Sequence, residues 1–366
     1  FFHLRRFRLL LLLFSILFLI GVISLWLHGA SELIVDKSLP SSERIDRICK
    51  AKREKCFEVI DKTIPDGSDE FVTRSLEVVF PSGSRFIEST VRIQPRKHNV
   101  TFSESDTRLW SVDGETLPTV YLRAMGVMPF LSRVIRVGRR KEQKKIALVG
   151  VGGGSILSHL RNLRDGFDFT VVEKESEVIE LSRRWFELRD ATVVNEDGVD
   201  WMRRRDGNET GFDVVFLDAC ERHSAQHCPD PSFTSKENVK NLHQLMRSDT
   251  RALVVINFEI YNARKWEMLH EQMGVLLSFF PHCISIDMKE RVNMVVGCLT
   301  KPLPFHNPEN PRASLDASMG FIADQYMEAE YELQYGNIFK EFAVHAIIDG
   351  QRESITHPVD KILTRN

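Results

Sequence analysis

Ile146-Ala-Leu-Val-Gly150-Val-Gly152-Gly153-Gly154-Ser155 is the stretch on which the fold of this chain turns. A short apolar run leads straight into glycines 150, 152 and 154, spaced G-x-G-x-G, and an amphipathic stretch over residues 155–163 follows. Strand, tight turn and helix N-terminus in that order gather main-chain N–H groups at one point, and glycine lets a ligand approach the backbone there. Alone, such a motif is equally a plain glycine-rich turn, so its neighbours settle the reading.

The next strand, expected at 168–172, ends on Glu173, 19 residues past Gly154. That is the spacing at which a carboxylate accepts two hydrogen bonds from ribose hydroxyls. A third strand at 191–194 leads to Asp197 and Gly198, and an acid there commonly receives the exocyclic amine of adenine. A fourth strand at 212–217 ends on Asp218. One acid in such a place is easily a helix cap. Three, in register with a glycine turn, fall on the carboxyl edge of an open sheet, where ligands bind. Helices are expected over 155–163, 176–189, 198–205, 236–246 and 263–279, a fifth strand at 251–257, and an antiparallel pair at 283–288 and 293–299. The alternation predicts an α/β fold with a Rossmann-like, doubly wound sheet, mostly parallel with an antiparallel terminal strand.

The order of these motifs resembles the class I S-adenosylmethionine-dependent methyltransferase superfamily over residues 121–299, within it the spermidine synthase-like branch that includes methyltransferase-like proteins modifying an elongation factor. The segment Cys228-Pro-Asp-Pro-Ser-Phe233 is similar to those methyltransferase-like proteins. The resemblance implies that Gly150, Gly152, Gly154, Glu173, Asp197, Gly198 and Asp218 hold S-adenosyl-L-methionine, with Asp218 also the candidate general base for an amine nucleophile. It implies transfer of a methyl group to an amine or carboxylate, with a protein as a candidate acceptor. The rival is aminopropyl transfer from decarboxylated S-adenosylmethionine, which needs several carboxylates for a cationic diamine. Spermidine synthases carry G-G-G-D-G-G, Tyr-His-Glu and D-S-S-D-P. Here Gly153 stands for the loop Asp, Tyr121-Leu122-Arg123 for the second motif, and Asp218-Ala-Cys-Glu221-Arg222 for the third. A third reading is a degenerate nucleoside-binding or scaffold module.

Outside this core the sequence divides into a short basic segment (1–8), an apolar segment (9–28), a stem (29–70), a β-rich extension (71–118), the Rossmann-like domain (119–302) and a tail (303–366) with helical segments near 318–335. Residues 9–27 carry no charge, and a membrane-spanning helix needs roughly 20 apolar residues. A retained signal anchor is favoured over a cleaved signal peptide, whose apolar core runs to roughly 7–15 residues. Arg5, Arg6 and Arg8 before the run put the N-terminus in the cytosol and the main domain on the lumenal or extracellular side. Sequons at Asn99 and Asn208 agree with that side. The stem is read with helical content over 45–60, and a hairpin is expected from 75–80 and 85–93 about Pro81-Ser-Gly-Ser84.

Hydrophobic residues make up 43% of the chain and charged ones 27%, an ordinary globular balance. The net charge of −2 argues against a dedicated nucleic-acid binder. The six cysteines are no dense disulfide scaffold: Cys49 with Cys56 and Cys220 with Cys228 are candidate bridges, whereas Cys283 and Cys298 read at least equally as buried thiols. His223 and His227 read as solvated loop residues, no metal site is assigned, and Trp185, Trp201 and Trp266 read as packing residues. The acceptor and the oligomeric state have no signature in the sequence.

Overall fold

The computed structural model describes residues 42–50, 54–66, 69–95, 102, 105–138, 141–204, 210–220, 228–260, 263–288, 293–303, 317, 321, 325, 342–348 and 351–355. The chain falls into two units, Phe1–Ser42 and Glu43–Asn366, and the description concerns the second. The expected anchor at 9–28 and the sequons at Asn99 and Asn208 lie outside the described residues. Among the described residues no helix is long and apolar enough to cross a membrane.

Five strands form a small antiparallel sheet in chain order: β1 (Ser42–Cys49), β2 (Cys56–Asp66), β3 (Asp69–Val79), β4 (Arg85–Gln94) and β5 (Ser111–Val112). The expected hairpin is β3 and β4. The helical content expected over 45–60 is corrected: that stretch supplies most of β1 and the first part of β2. Its density of Arg, Glu and Lys imitates a surface helix, but its residues lie in extended strands: Cys56 to Val59 are buried on both faces, and exposure alternates only beyond them. Phe57, Val59, Asp61 and Thr63 turn inward, and β2 pairs with β3 along all 11 residues. On the other face Glu58 is 1% exposed and receives Arg44 at 3.2 Å, Arg47 at 3.4 Å and Arg85 at 2.7 Å. The charges therefore cross-link strands. The Cys49–Cys56 disulfide closes the β1–β2 hairpin. A boundary after residue 70 would thus separate β2 from the strand it pairs with.

The large sheet has nine strands. After α1 (Val120–Leu131) come β6 (Lys141–Val149), α2 (Ser155–Leu163), β7 (Asp165–Val172), α3 (Ser176–Trp185), β8 (Thr192–Val194) and α4 (Gly198–Arg204). Then follow β9 (Val214–Leu217), α5 (Lys236–Leu245), β10 (Leu253–Glu259), α6 (Ala263–Leu277), β11 (His282–Met288), β12 (Asn293–Leu299), β13 (Phe342–Ile348) and β14 (Gln351–Ile355). Their order is β14-β13-β11-β12-β10-β9-β6-β7-β8. Strands β6 to β10 pair in parallel; β12 inserts antiparallel between β10 and β11. This is the α/β sheet with antiparallel terminal strands that the sequence predicts. The tail departs from expectation: Ala317, Phe321 and Gln325 are helical, but 342–355 adds the β13–β14 hairpin to the sheet edge.

Alternation along the central strands separates two apolar layers. Ile146, Leu148 and Phe216 face α1, α2 and α3, whereas Ala147, Val149 and Leu217 face α4, α5 and α6. Strands buried on both faces read as unbroken apolar runs, which is how β9, the last four residues of β6 and the first four of β10 are spelled. Trp201 is 1% exposed and packs against Phe212, as expected of a packing residue. Trp185 is partly buried and also donates through Nε1 to Asp46 at 2.7 Å. The side chain of Trp266 is outside the described residues. Cys283 and Cys298 face one another across the β11–β12 ladder and form a disulfide, correcting their reading as thiols. Cys220 and Cys228 are bonded as well.

Candidate functional site

Neighbouring connections leave the sheet in opposite directions on either side of β6, and a cavity opens there at the carboxyl ends of β6, β7 and β9. Counting its open mouth it encloses about 1330 Å³. Gly150 closes the end of β6 with φ +80° and donates to the Val172 carbonyl at 2.9 Å. A Cβ at Gly150 would lie 2.6 Å from the Asp218 carbonyl oxygen, and one at Gly152 would lie 2.9 Å from Ser89 Cβ. The structure adds a requirement the sequence did not announce: these two glycines let protein segments meet. Gly154 has φ +70° and is the N-cap of α2.

Glu173 stands at the tip of β7, partly open to the cavity. Val151 N–H donates to its Oε2 at 3.2 Å and Glu175 N–H to its Oε1 at 2.9 Å. Burial pushes its carboxyl above the ordinary value, with Glu175 and Glu88 adding repulsion, against the pull of those two hydrogen bonds. Asp197 is exposed, lines the cavity, and accepts the Val199 N–H at 2.9 Å as the cap of α4. Gly198 follows it, where a Cβ would meet Val149 at 2.5 Å. Asp218 at the tip of β9 accepts from Asn257 Nδ2 at 3.0 Å, and Asn257 Oδ1 accepts from Asn293 Nδ2 at 3.1 Å. Every site residue read from the sequence except Gly154 lines this one cavity, and Gly154 is two residues from Gly152.

The small sheet supplies what the sequence reading missed. Lys55, Phe57, Phe80, Glu88 and Ser89 line the cavity opposite the strand tips. Ser155 Oγ donates to the Thr90 carbonyl at 3.1 Å, seating β4 on the glycine turn. Glu175, 7% exposed, carries ion pairs to Lys50 at 2.5 Å and Lys55 at 2.7 Å. Burial alone would raise the Glu175 carboxyl, but the two lysines hold it below its ordinary value. Asn257 had one available signal, a lone amide in the apolar strand LVVINFE. Asp218, Cys220 and Cys228 also gather closely, but the sulfurs are bonded to each other and so are not thiolate ligands. His223 and His227 are outside the described residues.

The arrangement offers a carboxylate fixed by two main-chain N–H groups, a second acid beside a glycine-started helix, and a third acid braced by two amides. No family model matches the chain. Over 179 residues, 48% of its length, it is 25% identical to the eEF1A lysine and N-terminal methyltransferase homolog of Drosophila melanogaster. The chain spans about a quarter of the length of the curated relatives it matches. Human Methyltransferase-like protein 13, solved in complex with SAH, aligns over 59% of this chain and 93% of that one, at 15% identity and a TM-score of 0.49. Spermidine synthase from Thermotoga maritima aligns over 82% and 99%, at 13% identity and a TM-score of 0.42. The likeness to class I methyltransferases that the glycine turn and its acids carry thus recurs in the curated sequences that this chain resembles.

Proposed function

We propose that the chain is an S-adenosyl-L-methionine-dependent methyltransferase acting on an amine of a protein acceptor. The observation that carries this is Glu173, whose two carboxylate oxygens are each fixed by a main-chain N–H at the mouth of a glycine-lined cavity. Similarity to proteins named as lysine and N-terminal methyltransferases supports the reaction class and the acceptor class.

The donor set fits the group. Glu173 would hold the ribose hydroxyls, Asp197 and Gly198 the adenine, and the turn at 150–154 the remainder. S-adenosylmethionine supplies a methyl group on a positively charged sulfur, already activated for displacement. The protein's work is therefore positioning and exclusion of water. Asp218, braced by Asn257, orients the acceptor amine and receives its proton as the new carbon–nitrogen bond forms. Aminopropyl transfer draws less support, because glycine occupies position 153 and leucine and arginine occupy 122 and 123.

The same proposal assigns the domain to the secretory pathway, behind the apolar segment at 9–28. All six cysteines of the chain are paired in three disulfides, as an oxidising compartment favours. Protease protection and glycosidase digestion on microsomes test this: an unglycosylated, protease-accessible domain rejects it.

Calorimetry tests the activity reading. Titration of the purified chain should show binding of S-adenosylmethionine, weakened by Glu173→Ala by about 3 kcal/mol, on the order of a hundredfold, for two lost hydrogen bonds to a charged group. A preference for the decarboxylated cofactor would return the aminopropyl reading. Binding of neither would leave a degenerate module.

A further inference from the structure

The hairpin joining β1 to β2 lies far in sequence from the glycine turn, yet two of its lysines, Lys50 and Lys55, reach one carboxylate beside the cavity. Lys50 Nζ is 2.5 Å from Glu175 Oε2 and Lys55 Nζ is 2.7 Å from Glu175 Oε1. Glu175 is the N-cap residue of α3, and its side chain makes no capping hydrogen bond. The main-chain N–H groups of the first helical turn lie near that position, and the helix dipole favours a carboxylate there. Here that carboxylate is turned to the lysines, while its own N–H is the donor to Glu173 Oε1 at 2.9 Å. The hairpin is built to hold this position: the Cys49–Cys56 disulfide closes it, and Lys50 N–H donates to the Lys55 carbonyl at 3.1 Å. Lys55 is 14% exposed, lies 5.2 Å from the centre of the Phe57 ring, and lines the cavity with Phe57.

We propose that this hairpin is a working part of the cofactor site: Lys50 and Lys55 draw Glu175 off the helix end, and so hold the main-chain N–H that aims Glu173 at the ribose. The inference rests on reading the cavity as the S-adenosylmethionine site. Lys50, Lys55 and Glu175 are positioning residues. With both lysines neutral, Glu175 returns to the N–H groups at the start of α3, its backbone turns, and the Glu173 carboxylate loses one of two fixed donors. Glu175 is then also left without its cations, two residues from the Glu173 carboxylate that it repels.

The test is a coupling experiment on the full chain, with S-adenosylmethionine and adenosine as calorimetric probes. Lys50→Met/Lys55→Met should weaken both ligands about tenfold, and Lys50→Arg/Lys55→Arg should restore them, since Arg keeps the charge. Placed in a Glu173→Gln background, the methionine pair should weaken binding no further, because the residue it acts through has already lost its charge. Unchanged affinity in the methionine pair overturns the proposal. So does a loss of equal size in the Glu173→Gln background, since the effect then does not run through that acid. A wild-type chain that binds neither probe overturns the cofactor-site reading itself. Normal wild-type binding, a weak Glu173→Ala variant and a wild-type-like methionine pair overturn the hairpin's role alone.

Discussion

Ser89 on β4 and Ser155 at the start of α2 are hydrogen bonded, with 3.1 Å between their hydroxyl oxygens. That contact joins the small sheet to the glycine turn of the large one, and it leaves no room above Gly152. A methyl group at Gly152 would lie 2.9 Å from Ser89 Cβ, on a backbone with φ +48°. Gly152→Ala should therefore lower stability by about 2–3 kcal/mol, part overpacking and part left-handed strain. Adding Ser89→Gly should recover the packing share and leave the strain. Chemical denaturation of the two variants separates them; a double variant no more stable than Gly152→Ala counts against the steric account.

Glu173 ties stability to pH in the direction of a raised acid. Burial lifts its carboxyl above the ordinary value, so the folded state gives up that proton less readily than the unfolded chain. Its contribution is full at low pH and lost as pH rises through the raised folded value. Glu173→Gln should make the ligand-free protein more resistant to urea at pH 7.5 and change little at pH 4. S-adenosylmethionine affinity should run the other way in the wild type, falling as acid neutralises the carboxylate. A urea midpoint shift of the same size at both pH values would refute the linkage.

Arg74 and Asp61 are a buried pair across β2 and β3, bonded through Nε and Nη2 at 2.7 Å each. Arg74 also donates to the carbonyls of Thr107 at 2.8 Å and Trp185 at 3.1 Å, fastening the small sheet to the end of α3. Asp61→Leu should cost about 3–5 kcal/mol, because it strands a buried cation. Asp61→Leu with Arg74→Met should cost less than that single change. Equilibrium unfolding decides it: a double variant weaker than the single would show that the carbonyl contacts, not the stranded charge, dominate.

His159 on α2 is 1% exposed, with Nδ1 3.0 Å from the Gly114 carbonyl oxygen. Burial lowers its pKa from 6.5 to about 4. A lowered base stabilises the fold above the unfolded value, and that share is lost as pH falls from about 6.5 toward 4, roughly 3 kcal/mol in all. His159→Gln should flatten the stability profile across that window. Parallel slopes for wild type and variant would exclude His159 as the source.

Asp218 is a candidate proton acceptor and also a wall of the cavity, and kinetics separates the two. Asp218→Asn keeps the shape and the Asn257 contact while removing basicity. Methyl transfer should slow on the order of a hundredfold or more, with cofactor affinity little changed. A large loss of affinity at unchanged turnover would make Asp218 a cofactor ligand.

The legible part of this protein was local. Residues 146–155 spell a strand, turn and helix within ten positions, because burial on both faces leaves an apolar run and the turn needs glycine. Glu173, Asp197 and Asp218 could be placed on one edge because parallel strands joined by helices all end on the same side. The stem misled because composition there favoured a helix, while the burial of its charged residues is visible only once β3 lies beside β2. The tail strands misled likewise, β13 pairing with β11 and β14 with β13.

By itself, then, the sequence determined the order of the α/β core, the glycine turn and the acids that follow each central strand, all set by short-range periodicity and turn chemistry. Tertiary structure alone decided that Cys283 meets Cys298, that Gly152 yields to Ser89, and that Lys55 reaches Glu175 across 120 residues. Such contacts are stabilised by cross-chain packing and desolvation, which depend on the positions of every intervening segment. No local pattern carries that information.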